Sequence, residues 1–169
     1  MEWFDVVDED NRVIGKATRE QCHDGSKFLH PVVHVHIFNS EKKLLLQKRK
    51  LNKDIQPGKW DTSIGGHIQA GESLENAIKR ESLEEAGITI ELKKLIHIAK
   101  YVFESEIERE LVFSYAYFYD GPITFQESEI NEVRFFSYDK LKSLISQEET
   151  TPNFEKEFSL LNTAEQNFF

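Results

Sequence analysis

The segment from Ser73 to Gly87 places strong limits on what this chain can become. Ser73 offers a side-chain oxygen to the free amides of a helix start, and Gly87 suits the left-handed residue just past a helix end, so Ser73 to Ala86 reads as one helix. At ~100° per residue, with Glu81 as the zero direction, Leu74 falls at about 20°, Glu85 at about 40°, Ile78 at about 60°, Ala77 at about -40° and Glu84 at about -60°. Carboxylates therefore interrupt the apolar stripe. A helix that used glutamate only for solubility would carry it on the far face, with Asn76 and Lys79. Two such charges ~4 Å apart repel by ~4 kcal/mol at an effective dielectric of ~20. The Arg80–Glu84 pair, four residues apart, returns only ~0.2–0.5 kcal/mol. The arrangement is costly unless the helix stays exposed or a cation sits among the oxygens, and Mg²⁺ or Mn²⁺ suits carboxylate oxygens that also face phosphates.

Composition narrows the setting of this helix. The chain has 169 residues, 39% hydrophobic, a single cysteine (Cys22) and a formal net charge of -9. That length predicts one domain, residues 1–169, and one cysteine excludes both an internal disulfide framework and a multi-cysteine zinc site. MEWFDVVDEDN is acidic where a secretory signal would be basic and then apolar, and no run approaches the roughly 18 apolar residues of a membrane span. A cytoplasmic protein without membrane partners is expected, either monomer or homodimer. An acidic surface repels a phosphate backbone, which excludes extended nucleic acid. A small phosphate ligand then needs a mediating cation. Charge is uneven, with Lys42, Lys43, Lys48, Arg49, Lys50, Lys53 and Lys59 concentrated between Glu41 and Trp60 and acids dominating from Glu127 onward.

Local patterns supply the other elements. WFDVVD and RVIGKAT read as a hairpin around Glu9-Asp10-Asn11, and PVVHVHIF with KLLLQKR as a second hairpin across Asn39-Ser40-Glu41. A polar stretch from Lys50 to Lys59 leads into Trp60-Asp61-Thr62-Ser63-Ile64-Gly65-Gly66-His67, whose adjacent glycines mark a sharp bend or a close approach to a ligand. LIHIAKYVF, ELVFSYAYFY and VRFFSY read as later strands. Asp139 to Ser146 reads as a helix, and Thr151-Pro152 opens another with Phe154, Phe158 and Leu161 on one face. Without regular βαβ alternation, the class is α+β.

From Gly66 the chain reads GHIQAGESLENAIKRESLEEAGI, which resembles the Nudix box: Gly, five residues, Glu, seven residues, Arg-Glu, an apolar residue, any residue, Glu-Glu, any residue, Gly, apolar. Gly66, Glu72, Arg80, Glu81, Glu84, Glu85, Gly87 and Ile88 fall in register, and Ser82 stands where an aliphatic residue is expected. The resemblance, over residues 66–88, implies a mixed β-sheet between helices and hydrolysis of a diphosphate linkage in a nucleoside diphosphate derivative or similar small compound. It also implies that Glu81, Glu84 and Glu85, with the Gly66 carbonyl, hold Mg²⁺ or Mn²⁺. Arg80 would orient a carboxylate, and Glu72 would brace the loop against the helix. Glu127 or Glu129 is a candidate additional carboxylate.

DVVDEDNRVIGKATREQCH, LHPVVHVHIFNSEKKLLLQKR and PGKWDTSIGGH further resemble the Nudix subgroup that includes isopentenyl diphosphate isomerase. That likeness implies the added N-terminal hairpin and a second metal site at His23, His30, His67, Glu108 and Glu110. The isomerase needs a cysteine where this chain has Gly65, and its box decays where this one is nearly complete. A hydrolase is therefore favoured over an isomerase or a catalytically silent nucleotide-binding module. Lys48 and Arg49 are candidates to meet substrate phosphates, and His34 and His36, on one strand face, are candidates to look into the pocket.

Overall fold

The computed structural model describes residues 1–53 and 55–169, so Asp54 of the Lys50–Lys59 stretch lies outside the described residues. Two strands, β1 (Trp3–Val7) and β2 (Val13–Thr18), form the N-terminal antiparallel hairpin as a separate sheet. A four-residue helix, α1 (Arg19–Cys22), follows. Thr18 starts it with a capping box, its hydroxyl accepting from the Gln21 amide while the Gln21 side chain accepts from the Thr18 amide.

Seven strands make the main sheet: β3 (Leu29–Phe38), β4 (Leu44–Arg49), β5 (Trp60–Asp61), β6 (Ile64–His67), β7 (Ile96–Glu104), β8 (Arg109–Phe118) and β9 (Ile130–Phe136). The long helices are α2 (Leu74–Ala86), α3 (Tyr138–Ser146) and α4 (Pro152–Thr163). Strand β3 is central and buried along its whole length. It pairs in parallel with β8 over Leu29–Phe38 and antiparallel with β6 over Val32–Val35.

The expected hairpin of PVVHVHIF with KLLLQKR is realised only at its tip. β3 and β4 pair at Phe38 and Leu44, after which β4 turns away to pair with β9 and β5. β8 runs along one edge of β3, and on the other edge β6 pairs with Val32–Val35 where β4 has turned away. The divergence leaves a cleft between β4 and β6.

Two apolar layers sandwich the sheet. Val33, Val35 and Ile37 of β3 pack with Ile64, Ala77, Ile78 and Ala86 toward α2. On the other face, Leu44, Leu46, Trp60 and Phe136 pack with Leu141 and Leu144 of α3 and Phe154, Phe158 and Leu161 of α4. This is the α+β class with a mixed sheet between helices that the sequence predicts. Among the described residues, no helix is long and apolar enough to cross a membrane.

Candidate active site

Helix α2 is set by its ends. The Ser73 hydroxyl accepts from the Asn76 amide, and Gly87 adopts φ 67° with its amide donating to the Leu83 and Ser82 carbonyls. So placed, α2 brings Glu81 and Glu85 against β6. A Cβ at Gly66 would collide with the Glu81 carboxylate, so only glycine permits this approach. The Glu85 carboxylate accepts from the Gly65 amide at 2.9 Å and from the Gln47 side chain at 3.1 Å. Burial pushes the Glu85 carboxyl up to about 8, with the charge on Glu81 adding to it. Burial also raises Glu81, against the pull of Arg80. Both carboxylates bear a desolvation penalty that a cation would offset.

Arg80 knits the preceding loop to the helix. Its guanidinium donates to both Glu72 oxygens at 2.9 and 2.8 Å, to the His67 carbonyl at 3.0 Å and to Glu81 at 2.6 Å. Glu84 lies 3.5 Å from the same guanidinium with half its side chain in solvent. Among the described residues, Glu81, Glu84 and Glu85 do not form a close cluster of ligand atoms: Glu81 and Glu84 face the Arg80 guanidinium, whereas Glu85 turns to the Gly65 amide and Gln47. Ser82 is fully buried, with no partner for its hydroxyl.

A second set of donors does converge. One ligand atom from each of His23, His30, His67 and Glu110 lies within 4.8 Å of the others. Glu108 joins them, 3.2 Å from His23. The cluster is assembled from the residue that ends α1 (His23), from β3 and β6, and from the start of β8 with Glu108 just before it, and Phe4 of the N-terminal hairpin stacks on His67 and His30 at ring separations of 4.6 and 5.5 Å. His30 donates from Nδ1 to the Phe28 carbonyl at 2.8 Å, which leaves Nε2 as a buried lone pair without a partner. Burial lowers all three imidazoles, His23 to about 4, and raises Glu110 to about 8, with Glu108 adding to the latter. Neutral imidazoles with an orphaned lone pair are the form that binds a metal ion.

Glu85 of the helix and Glu108 and Glu110 of the second set border one cleft of about 560 Å³, whose walls also include Gly66 and His67; Glu81 and Glu84 lie outside its lining. Arg49 reaches the cleft while contacting Asp61 and the Ile55 carbonyl, whereas Lys48 lies over the Trp60 ring, outside the lining. His34 lines the cleft, but His36 is wholly enclosed beneath it and bonds to Glu157, so it does not reach a ligand. Glu127 and Glu129 are exposed and outside the lining, and Glu129 pairs with Lys53. The sequence reading missed Arg19, Gln47 and Asp61, which also line the cleft. No local pattern distinguishes them from surface polar residues. Glu157, which anchors both His34 and His36, carries a fainter signal: it borders the apolar stripe of α4.

A mixed sheet between helices, with a glutamate-bearing helix pressed against paired glycines, defines a class that the comparisons identify. The NUDIX domain family matches residues 28–159. An uncharacterized Nudix hydrolase of Listeria innocua is 36% identical over 157 residues, covering 91% of this chain and 90% of the relative. The uncharacterized Nudix hydrolase YfcD of Escherichia coli is 31% identical over 159 residues, covering 94% and 86%. Among solved structures, DR0079 from Deinococcus radiodurans aligns with a TM-score of 0.77 at 23% identity, covering 94% of this chain and 98% of that one. The NUDIX domain of Shewanella oneidensis NrtR, solved with ADP ribose, aligns with a TM-score of 0.62 at 16% identity, covering 78% and 85%. The chain belongs to the Nudix family.

Proposed function

We propose that this protein is a divalent-metal-dependent hydrolase that cleaves a diphosphate linkage in a nucleoside diphosphate derivative or a similar small phosphate compound. The observation that carries the reading is the burial of Glu81 and Glu85 against Gly65 and Gly66, with Glu85 on the cleft wall and its carboxyl pushed up to about 8 by that burial. Glu81, Glu84 and Glu85 with the Gly66 carbonyl would hold Mg²⁺ or Mn²⁺; Glu84, half exposed, needs only a side-chain rotation to join. Such an ion supplies charge neutralisation at the phosphoryl oxygens and an acidified water. Arg80 keeps Glu81 facing the strand while Glu72 fixes Arg80, so the loop and helix move as one unit. Arg19 and Arg49, on the cleft walls, offer guanidinium groups suited to phosphate oxygens. The His23, His30, His67, Glu108 and Glu110 cluster is proposed as a second divalent-ion site, supported by the orphaned Nε2 of His30.

A panel of nucleoside di- and triphosphates, nucleotide sugars, dinucleotides and prenyl diphosphates, assayed with Mg²⁺ or Mn²⁺, tests the proposal. Phosphate-containing products are expected from at least one class and should be lost in Glu84→Gln and Glu85→Gln. Turnover that survives both substitutions would refute the metal assignment. Isomerised prenyl product without hydrolysis would favour isomerase chemistry instead.

A further inference from the structure

The helix α4 places Glu157 at full burial beneath β3 and β8, on the sheet face opposite α2. Its Oε1 accepts from His34 Nδ1 and from the Tyr101 hydroxyl, both at 2.8 Å. Its Oε2 accepts from His36 Nε2 at 2.9 Å and from the Ser114 hydroxyl at 2.6 Å. Four donors to two oxygens leave no room for a carboxyl proton, so the group is an anion. Burying such a charge costs several kcal/mol before its hydrogen bonds are counted. Its neighbours Phe154, Phe158 and Leu161 show that this layer is otherwise built from apolar side chains.

The two histidines on Glu157 have different surroundings. His36 is enclosed and leads nowhere. The His34 ring borders the cleft and lies beside Gly65, where a Cβ would come within 3.2 Å of Cδ2 and 3.5 Å of Nε2. Because Nδ1–H is committed to Glu157, the opposite edge, bearing Nε2, is turned from Glu157 toward Gly65 and the cleft. We propose that His34 contacts the substrate, donating from Nε2–H to a phosphoryl oxygen of the bound diphosphate, and that Glu157 is its positioning residue. Glu157 fixes the ring's orientation and tautomer and favours the doubly protonated ring, and a charged donor binds a phosphoryl oxygen about twice as strongly as a neutral one. Burial alone would lower His34, but Glu157, Glu110 and Asp61 together raise it. Arg19, Arg49, His23 and His67, also on the cleft walls, are the charged or chargeable groups of opposite effect.

The inference rests on the diphosphate reading of the same cleft, so its test separates the two. Protein labelled with ¹⁵N-histidine is titrated with methylenediphosphonate in the presence of Mg²⁺, and binding is followed in parallel by calorimetry. The His34 Nε2 resonance should shift on binding, with His36 unmoved, and Glu157→Gln should blunt that shift while Mn²⁺ affinity is kept. His34→Ala should lower kcat/KM about tenfold to a hundredfold, the loss of one charged hydrogen bond, and His34→Gln should restore part of it. Binding with a silent His34 would overturn this proposal alone. No binding by calorimetry would overturn the diphosphate reading and this proposal with it. The wild-type titration requires no variant to fold, and thermal melts of each variant separate a folding defect from a lost contact.

Discussion

Replacing Glu85 by Gln should raise the stability of the metal-free protein at high pH and leave it nearly unchanged at low pH. In the folded chain the Glu85 carboxyl is pushed from 4.5 up to about 8, first by burial. Between those values the folded form keeps a proton that the unfolded form has released, so stability falls as pH rises from about 4.5 to about 8. At about 1.4 kcal/mol per pH unit, the penalty reaches ~5 kcal/mol when ionisation is complete. Relaxation around Gln47 and entry of water into the open cleft reduce this to roughly 2 kcal/mol. For a chain of this length, ~2 kcal/mol corresponds to a melting shift of about 4–8 °C. Glu110 is also pushed to about 8 and steepens the same slope, but it does so in both proteins and cancels in the comparison. The assay is thermal denaturation followed by circular dichroism in EDTA at pH 5 and pH 8.5, repeated with saturating Mg²⁺. The variant should gain about 4–8 °C over wild type between the two pH values in EDTA. Mg²⁺ should then stabilise wild type more than the variant. A variant-to-wild-type difference independent of pH, or equal stabilisation of both by Mg²⁺, would refute the reasoning.

Gly66→Ala should force the Glu81 carboxylate off the strand, because the added Cβ would occupy its position. Mn²⁺ affinity measured by calorimetry is expected to fall about 10–100-fold, as when a metal site's supporting geometry is lost; unchanged affinity would remove Gly66 from the site. Wild-type protein should bind two Mn²⁺ and Glu110→Gln only one, because Glu110 belongs to the histidine cluster and not to α2. A single ion in both would leave the His23, His30, His67 cluster without a metal role.

Features governed by neighbours in sequence were readable, and those governed by partners far along the chain were not. The Ser73 cap and the left-handed Gly87 follow from local sterics and hydrogen bonding, so the limits of α2 matched expectation. The helical wheel placed Glu81 and Glu85 within the apolar stripe and left Glu84 at its margin. The buried residues Ala77, Glu81, Ile78, Ser82 and Ala86 span an arc from about -40° to about 140°, and Glu84, at about -60°, falls just outside it. The β3–β4 pairing was overestimated because β6, some thirty residues from β3 in sequence, takes the edge of β3 that β4 leaves. Strands β5 and β6 are too short for alternation to reveal. The glutamate signal that marked α2 is fainter for Glu157, which lies at about -60° from Phe154, outside the span from Leu161 at about -20° to Phe158 at about 40°.

The pair Gly65-Gly66 explains why two sets of acids can share one cleft across a sheet. Successive residues of a strand face opposite sides, and a side chain at either position would fill the space that one of the two groups needs. On the α2 face the missing Cβ of Gly66 admits the Glu81 carboxylate; on the α4 face that of Gly65 admits the His34 ring. The Gly65 amide, left free where β4 has diverged from β3, donates in the plane of the sheet to Glu85. One bare dipeptide therefore brings together an acidic helix from one face and a carboxylate-anchored imidazole from the other, with a strand edge between them. The same Gly65 removes the thiol that prenyl isomerisation requires, and it gives His34 its place. Glycine at this position thus supports the proposed diphosphate hydrolysis over isomerisation, since it stands where the isomerase's cysteine would be and makes room for the His34 ring.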